Sequence, residues 1–425
     1  MAASLSDYEK LMAGCIRCSN CKFIPALQVK SQKFSAICPA IERYNFHAYS
    51  GGGKTIIAQA LLKNRIQYTE ELLKVIYRCT ACGGCDIACK FFFELEPLEV
   101  ILELRNHCVE SGAGPMPQHK KYIESVKLNH NPYGENHEER LSWLPKNISY
   151  KEGSQTAYFV GCTTSYRRKE IAQATTKIFD KVDLDYTILG SEEFCCGSPL
   201  IRVGDRKDAL ELMRKNVEKL KDLGIKRIVT SCAGCYSMFK VEYPRYLNTD
   251  FQVIHTSELL DNMLKEGKLD LSREVPLKVT YHDPCHLGRN SEPYTPWQGQ
   301  MVKVVSRIYI PVPPKVIRRG TNGVYEPPRN VLRSIPGLEL VEMERIKEYA
   351  YCCGAGGGVK SAFPDFALWT ASKRIEEAKA TGAEALVSCC PFCATNLKDA
   401  LREKGEKMEF YDLTELVLKS MGGSI

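Results

Sequence analysis

The sequence predicts a protein of the α/β plus α class, in which an α-helical N-terminal domain is followed by a pseudo-twofold pair of α/β domains. Three observations support this prediction. Cysteine triplets with a three-residue spacing lie in the first quarter of the 425-residue chain, where apolar residues recur at helical intervals. Farther along, short apolar runs alternate with helical runs, as in parallel α/β units. These alternating segments occur twice, and from the double cysteine onward the two copies are offset by 157 or 158 residues. We place the domains at 1–110, 151–275 and 276–425, with a linker at 111–150.

Composition and cysteine content limit the compartment and the partners. The chain has twenty cysteines, 44% hydrophobic residues and no apolar run long enough to span a bilayer. Its first residues lack the basic and apolar regions of a secretory signal. Many cysteines without export indicate metal ligation in a reducing compartment, and we expect a cytoplasmic protein. The net charge of +7 favours an acidic protein partner or an anionic ligand over nucleic acid.

The N-terminal domain, with helical periodicity at 68–76 and 98–104, carries two cysteine triplets that each have a fourth cysteine. The triplet spacing wraps three thiolates around one cubane [4Fe–4S] cluster, and Gly83 and Gly84 give the second triplet a flexible turn. In two-cluster ferredoxins the fourth cysteine of each run ligates the cluster of the other run. On that pattern the two ligand sets are Cys15, Cys18, Cys21 and Cys89, and Cys38, Cys79, Cys82 and Cys85.

Two features depart from the ferredoxin pattern. The interval from Cys21 to Cys38 is longer than usual, and Lys90 rather than proline follows Cys89. A pair of zinc sites is the alternative, but two triplets that each have a fourth cysteine favour iron–sulfur clusters.

A glycine-rich segment at 48–55 resembles a loosened phosphate-binding loop. Such a loop needs a buried strand before it, and residues 42–47 lack the pattern of one. We therefore interpret the glycines as a connector between the cysteine runs. Nucleotide binding through Lys54 is the alternative.

The linker at 111–150 is rich in glycine and proline, which predicts a loop-like domain boundary with some ordered packing. The spacing of His107, His119, His130 and His137 fits no metal-ligand template, so we expect these histidines at the surface.

In each α/β domain the cysteines follow predicted strands. The strands at 156–162 and 277–285 end in a single cysteine, and those at 226–232 and 384–390 lead into a Cys-x-x-Cys motif at the start of a helix. Backbone N–H groups and helix dipoles at such strand ends favour negative charge. An adjacent cysteine pair followed by glycine comes from a loop. The five-cysteine sets are Cys162, Cys195, Cys196, Cys232 and Cys235, and Cys285, Cys352, Cys353, Cys390 and Cys393. Since a cubane needs four ligands, five thiolates suggest a larger, irregular cluster or a cubane with a spare reactive thiol.

The succession of single cysteine, Cys-Cys-Gly and Cys-x-x-Cys resembles the cysteine-rich CCG domain of heterodisulfide reductases. Two ferredoxin-type runs followed by two such domains resemble their fused catalytic subunit over nearly the whole chain. This resemblance implies two noncubane [4Fe–4S] clusters in addition to the two cubane clusters. It implies disulfide reduction at four catalytic residues: Cys195, Cys196, Cys352 and Cys353. It also implies a hetero-oligomer that receives electrons from a flavoprotein, either heterodisulfide reductase A-like or electron-transferring flavoprotein-like, or from a ferredoxin, and that contains other redox subunits.

Other iron–sulfur subunits have a similar plan, namely those of glycolate and lactate oxidases and of anaerobic glycerol-3-phosphate dehydrogenase. The alternative function is therefore a pure electron relay with no substrate of its own. Such a relay would serve a flavin-dependent dehydrogenase or a benzoyl-CoA reductase complex.

The second copy contains an insert. Between Cys285 and Cys352 lie 66 residues, against 32 between Cys162 and Cys195. The extra stretch at 291–323 carries basic, aromatic and proline residues: Trp297, Tyr309, Pro311, Pro313, Pro314, Lys315, Arg318 and Arg319. Together with the glycine-rich segment, it most resembles the heterodisulfide-reductase-like subunit of class II benzoyl-CoA reductase complexes. The open alternatives are a cap over the second site, an acyl-CoA phosphate site, a docking element for another subunit and a solvated loop.

Three polar residues near the single cysteine of the second copy are candidate cofactor-binding groups. His282 and His286 flank Cys285, and Arg289 follows. Hydrogen bonds to sulfur, which tune a cluster, and proton delivery are the predicted roles, and packing of the loop is the alternative. Two further cysteines, Cys108 and Cys389, lie outside the ligand pattern.

Overall fold

The N-terminal part of the protein is helical, as predicted. The computed structural model describes residues 4–292, 297–306, 308–314 and 320–424. The helices of the N-terminal domain are α1 (Glu9–Ala13), α2 (Pro39–Tyr44), α3 (Gly51–Leu62), α4 (Glu70–Tyr77), α5 (Gly84–Phe93) and α6 (Pro97–Glu110). The periodic stretches at 68–76 and 98–104 fold as α4 and α6. Thr69 caps α4, because its hydroxyl accepts a hydrogen bond of 3.2 Å from the Leu72 N–H.

The segment at 111–150 has more regular structure than the loop-like prediction, which is corrected in that respect. It contains α7 (Pro117–Asn129) and a 3-10 helix, His137–Leu141. Pro117 lies in the first turn of α7, where an N–H has no helical partner, so this proline begins a helix instead of breaking one. His119, expected at the surface, is fully buried with Nε2 3.0 Å from the carbonyl oxygen of Gly358. The other three histidines are half-buried: His107, His130 and His137.

The first α/β domain has a parallel sheet in the order β1 (Thr156–Tyr158), β2 (Arg227–Thr230) and β3 (Gln252–His255). Thr187 adds a single parallel bridge beside Ala157 of β1. Its helices are α8 (Cys162–Tyr166), α9 (Lys169–Lys181), α10 (Ser198–Ile201), α11 (Arg206–Asp222), α12 (Ala233–Ser237), α13 (Tyr243–Leu247) and α14 (Thr256–Lys265). A five-residue π-helix, Met238–Glu242, joins α12 to α13.

The second α/β domain repeats this plan with one more strand. Its strands are β4 (Leu277–His282), β7 (Leu338–Val341), β8 (Ala385–Ser388) and β9 (Glu409–Asp412). They pair in parallel in the order β7–β4–β8–β9, so β7 lies where Thr187 forms its bridge in the first domain. The helices are α15 (Glu326–Ser334), α16 (Val359–Ala362), α17 (Pro364–Lys379), α18 (Pro391–Lys404) and α19 (Leu413–Ser420). The strands and helices predicted from the duplication are therefore present in both copies.

The insert forms a separate antiparallel hairpin of β5 (Gln300–Val305) and β6 (Ile308–Val312). Every residue of β5 is exposed, so this strand does not cover the second five-cysteine set. Gly320, near the end of the insert, is buried against Arg289. Trp297, Tyr309, Pro311, Pro313 and Pro314 belong to the described part. Three residues predicted from the sequence to contribute basic charge lie outside the described residues: Lys315, Arg318 and Arg319.

A buried arginine joins the three domains. The Arg105 guanidinium, on α6, donates to carbonyl oxygens of its own domain, including that of Cys79 at 2.7 Å. It also donates to Arg202 of the first α/β domain at 2.7 Å and to Gly357 of the second at 3.0 Å. Because charge-assisted bonds to carbonyls inside a protein are strong, Arg105 fixes the domains relative to one another. Within the part of the chain that the structure describes, no helix combines the length and apolar character needed to cross a membrane.

Candidate cysteine sites

The first predicted ligand set is gathered in one place. A single cavity is lined by Cys15, Cys18, Cys21 and Cys89. Cys89 comes from α5, Cys21 from the 3-10 helix Asn20–Lys22, and the other two from the segment before that helix. Burial raises the pKa of Cys21 and of Cys89, and neighbouring thiols of the set raise both further. Cys18 is exposed, so this set lies at the protein surface.

The second set, Cys38, Cys79, Cys82 and Cys85, lies deeper. Burial raises the pKa of the Cys38 thiol to about 12, and Cys79 and Cys82 lie close enough to raise it further. Cys85 interacts in the same way with Cys79 and Cys82. The tight turn between these cysteines has positive φ angles of 52° at Ala81 and 72° at Gly83, the second favoured by glycine. The structure thus groups the eight cysteines in the crossed arrangement.

The glycine-rich segment begins a helix that lies between these two sets. A Cβ atom on Gly51, at the start of α3, would lie 2.7 Å from Cys85 Cβ, so a side chain there is excluded. The Gly52 N–H donates to Cys21 Sγ at 3.3 Å. The N-terminal end of α3 therefore directs partial positive charge at the thiolates.

The nucleotide alternative loses its structural basis. A short 3-10 helix, His47–Tyr49, precedes α3, where a phosphate-binding loop would follow a strand. The Lys54 side chain is 1% exposed, and its ammonium group donates to the Tyr49 carbonyl oxygen. Burial lowers the pKa of Lys54, and Cys79 and Cys38 oppose this effect, which places the ammonium group next to the second set.

The first five-cysteine set forms at the carboxyl ends of β1 and β2. Cys162 starts α8, Cys235 lies in α12, and the double cysteine approaches from the loop before α10. Interactions of their thiols connect Cys162 to Cys195, Cys195 to Cys196, and Cys196 to Cys235, while Cys232 interacts with Cys235. Hydrogen bonds from Cys195 and Cys235 lower the pKa of Cys196 to about 6.

Arg140 and Glu193, which the sequence interpretation missed, contact this set. Both terminal nitrogens of Arg140 lie 3.7 Å from Cys162 Sγ, and Arg140 forms a buried ion pair with Glu193. Glu193 also accepts hydrogen bonds of 2.8 Å from the Val160 and Gly161 N–H groups at the end of β1. Burial lowers the pKa of Arg140, but Glu193 and Cys162 outweigh burial and raise it overall, so the guanidinium is a permanent cation. In the sequence, the one indication that this pair lies near the set is the position of Glu193 two residues before Cys195.

The second five-cysteine set has the corresponding position at the ends of β4 and β8. The thiols of Cys285, Cys352 and Cys353 interact in sequence, and Cys393 interacts with both Cys353 and Cys390. All five are deeply buried except Cys285, which is half-buried.

The two candidate histidines lie against sulfur in this set. Ligand atoms of His282, Cys353 and Cys393 lie within 4.8 Å of one another, the spacing of a metal-binding group. His282 Nδ1 accepts a hydrogen bond of 3.1 Å from Arg374 Nε. His286 Nδ1 lies 3.3 Å from Cys285 Sγ.

Arg289 bonds to the peptide backbone and also lies near sulfur. Burial lowers its pKa, but Cys82, Cys285 and Cys352 outweigh burial and raise it, and its buried Nη2 has no hydrogen-bond partner among the described residues. Its Nε donates to the Cys82 carbonyl oxygen at 2.7 Å, and its Nη1 donates to Ala350 at 2.7 Å. Asn290 donates to the same Cys82 oxygen at 3.0 Å. These bonds attach the loop of the second ferredoxin-type set to the second α/β domain.

Thiols of different sets lie close enough to interact electrostatically at two places. Cys82 interacts with Cys352, and this contact lowers the pKa of Cys82 to about 6. Cys232 of the first α/β domain interacts with Cys390 of the second. Among the four sets, the second five-cysteine set therefore lies between the second ferredoxin-type set and the other five-cysteine set.

The donor atoms fit iron–sulfur clusters. The structure records all twenty cysteines as free. Four groups of four or five thiolates are the soft donors that such clusters require. The buried Nε2 atoms of His282 and His286 have no hydrogen-bond partner from the protein, as expected beside a sulfur-rich group. Cys108 and Cys389 are buried outside the sets, and Cys389 interacts with Tyr281.

Comparisons with known proteins agree with these ligand sets. The model of the 4Fe-4S dicluster domain matches residues 11–92, and that of the cysteine-rich domain matches residues 156–240 and 315–398. The chain is 35% identical over 416 residues to a subunit of the dihydromethanophenazine:CoB–CoM heterodisulfide reductase of Methanosarcina mazei, covering 96% of this chain and 93% of that protein. It is 30% identical over 404 residues to a subunit of the fumarate reductase (CoM/CoB) of Methanothermobacter marburgensis, covering 94% of this chain and 70% of that one.

A further relative is an EtfAB:quinone oxidoreductase of Syntrophomonas wolfei, 30% identical over 82% of this chain and 47% of that protein. These relatives do not confirm the closer likeness to a benzoyl-CoA reductase subunit. They do bear out the predicted likeness to heterodisulfide reductases.

Proposed function

Since the chain belongs to the same family as the heterodisulfide reductase subunits of Methanosarcina, we propose that it passes electrons through two cubane clusters to two noncubane clusters that reduce a disulfide. That it is an iron–sulfur oxidoreductase follows from the family. The observation that supports the electron path is the chain of thiol contacts, in which Cys82 meets Cys352 and Cys390 meets Cys232. Electrons then pass from the exposed ferredoxin-type set to the buried one, to the second five-cysteine set and finally to the first.

Each cluster would be held by one of the four sets. The cubane clusters would be held by Cys15, Cys18, Cys21 and Cys89, and by Cys38, Cys79, Cys82 and Cys85. The noncubane clusters would be held by the two five-cysteine sets. When bound, such clusters supply one-electron transfer at closely spaced positions.

Disulfide reduction would occur where the two five-cysteine sets meet. The sulfur–sulfur bond of the substrate breaks as two electrons and two protons are taken up, and two thiols are released. The catalytic cysteines would be Cys195 and Cys196 in the first set and Cys352 and Cys353 in the second, so that each half of the substrate would be reduced at its own set. Arg140 holds positive charge beside the first set, where negative charge collects. His286 lies against Cys285 and is placed to hold a proton.

A redox partner would bind at the exposed ferredoxin-type set. Cys18 is exposed there, and the neighbouring Ile16 and Phe46 side chains are 65% and 66% exposed. Arg17 and Lys22 lie near enough to His47 to lower its pKa further, after the larger effect of burial. An apolar surface with basic charge suits an acidic flavoprotein or ferredoxin, and the assembly would be a hetero-oligomer. With all cysteines free, a reducing cytoplasm is the proposed compartment.

Two measurements test the proposal. Anaerobic reconstitution should give about sixteen irons per chain if four four-iron clusters form. A count near eight would leave the ferredoxin half alone, and zinc or free thiols at the five-cysteine sets would contradict the whole path.

A pure electron relay is the second candidate, because nine of the ten cysteines in the five-cysteine sets are buried. Reduction of small disulfides by reduced viologen separates the two functions. Turnover by the isolated chain supports disulfide reduction. Viologen oxidation that requires a partner enzyme and its substrate supports the relay.

A further inference from the structure

One face of the hairpin of the insert is mainly aliphatic, with Gln300 opposite Val312 as its polar residue. Residues that lie opposite one another in the two strands share a face of the hairpin, and the pairs include Val302 with Ile310 and Val305 with Ile308. With Val312, these side chains are between 37% and 62% exposed. The other face is mixed, since Met301 lies opposite Pro311 and Lys303 opposite Tyr309. An exposed aliphatic face of this kind marks an interaction surface.

The hairpin is anchored where the redox sites meet. At its base, Val324 donates to the Leu287 carbonyl oxygen at 3.0 Å, and the Tyr325 hydroxyl donates to Gly320 at 2.6 Å. Gly320 packs on Arg289, the residue that holds the Cys82 loop. The base is therefore part of the contact between the second ferredoxin-type set and the second α/β domain, while β5 and β6 are exposed.

The backbone of the hairpin favours a protein surface over the hydrocarbon core of a lipid bilayer as its occupant. Among the described residues, β5 and β6 pair with each other alone, so each strand has one unpaired edge. Open sheet edges are not found in the hydrocarbon region of a bilayer, because their N–H and C=O groups have no partners there. A protein surface supplies both apolar contacts and hydrogen bonds to a free edge.

The charge of the insert indicates what kind of protein surface binds the hairpin. Residues 291–323 contain five lysines and arginines and one acidic residue, Glu292. Glu292 already accepts a hydrogen bond from the Asn322 N–H. A second copy of this chain would bring two basic inserts and two chains of net charge +7 together. An acidic surface complements the insert instead.

We propose that the aliphatic face of the hairpin is a docking arm for a different protein subunit, one that offers an apolar cleft with an acidic rim. This subunit would bind beside the junction of the cubane and noncubane sites, on a surface separate from the exposed ferredoxin-type set.

Two variants with added charge on opposite faces test the proposal. Val302→Glu combined with Ile310→Glu places two negative charges on the aliphatic face, and Met301→Glu places one on the other face. The complex is purified from its source with each tagged chain, and its subunits are quantified by mass spectrometry. The amount of a stoichiometric second polypeptide that copurifies should fall at least about tenfold with the double variant, which corresponds to about 1.4 kcal/mol of lost binding free energy. It should be retained in the complex of Met301→Glu.

A photo-crosslinker placed at Ile310 of the otherwise wild-type chain identifies the occupant even if the double variant folds poorly. A crosslink to that second polypeptide supports the proposal. A crosslink to another copy of this chain overturns it, as does equal retention of the subunit by all variants. Sedimentation of the isolated chain with phosphatidylglycerol vesicles, lost in the double variant, would also overturn it. Iron content and viologen-linked disulfide reduction by the isolated chain do not depend on the arm. A failure of the docking proposal can therefore be distinguished from a failure of the proposed function.

Discussion

Replacement of Arg140 by methionine tests whether the guanidinium beside Cys162 stabilises the reduced state of the first noncubane cluster. Both terminal nitrogens lie 3.7 Å from Cys162 Sγ. An electron shared over a cluster is farther away, about 6 Å, and at an effective dielectric constant of about 20 the attraction is roughly 3 kcal/mol. For a one-electron couple, the loss of this attraction lowers the reduction potential of the cluster by about 120 mV in Arg140→Met.

The assay is a redox titration of the anaerobically reconstituted protein, followed by electron paramagnetic resonance. Arg202→Met is the matched control, because Arg202 also pairs with a buried glutamate, Glu242 at 3.1 Å, in the same domain. Arg140→Met combined with Glu193→Gln removes both charges and should shift the potential less than Arg140→Met alone. A shift below about 30 mV, or an equal shift in the control, would refute the reasoning.

Three further predictions concern other parts of the chain. Gly51→Ala should lower the iron content by about one cubane, because the added Cβ would lie 2.7 Å from Cys85 Cβ. Gly52→Ala should keep the wild-type iron content, because its Cβ would lie 3.4 Å from the nearest sulfur atom. The wild type and Lys54→Ala should both hydrolyse nucleotides only at the background rate, and ATP should raise the melting temperature of neither, since the Lys54 ammonium group is buried. Stabilisation of the wild type alone by ATP would contradict this. His119 has a pKa lowered to about 4, mainly by burial, so its contribution to stability is complete above the ordinary value of 6.5 and is lost as the pH falls towards 4. Between about pH 8 and about pH 5.5, the free energy of unfolding should fall by about 1.4 kcal/mol more in the wild type than in His119→Gln, which still donates to Gly358. An equal fall in both proteins would show that His119 has no such role.

The duplicated domains were predictable from sequence because each chemical motif coincides with a structural boundary. Cys162 and Cys285 follow strands directly, and Cys-x-x-Cys starts helices, so alternating patterns and motifs confirm each other. The linker was not predictable in the same way. Pro117 has identical local chemistry whether it ends a loop or begins α7, and burial of that helix against other domains decides the outcome.

Contacts between domains were beyond sequence reasoning for a physical reason. The Cys232–Cys390 and Cys82–Cys352 contacts join residues that are far apart in the chain, and no spacing rule describes them. Arg140 illustrates the same limit, because its charge matters through a cysteine that folding brings beside it.

The bonds of Arg105 set a mechanical limit on electron transfer. A single guanidinium holds carbonyl oxygens of all three domains, so the N-terminal domain cannot swing on the 111–150 segment to carry electrons between distant positions. On the proposed electron path, the tunnelling distances would then be fixed at the time of folding, and electron transfer would not depend on domain rotation. Proteolytic nicking of that segment should accordingly leave the fragments associated.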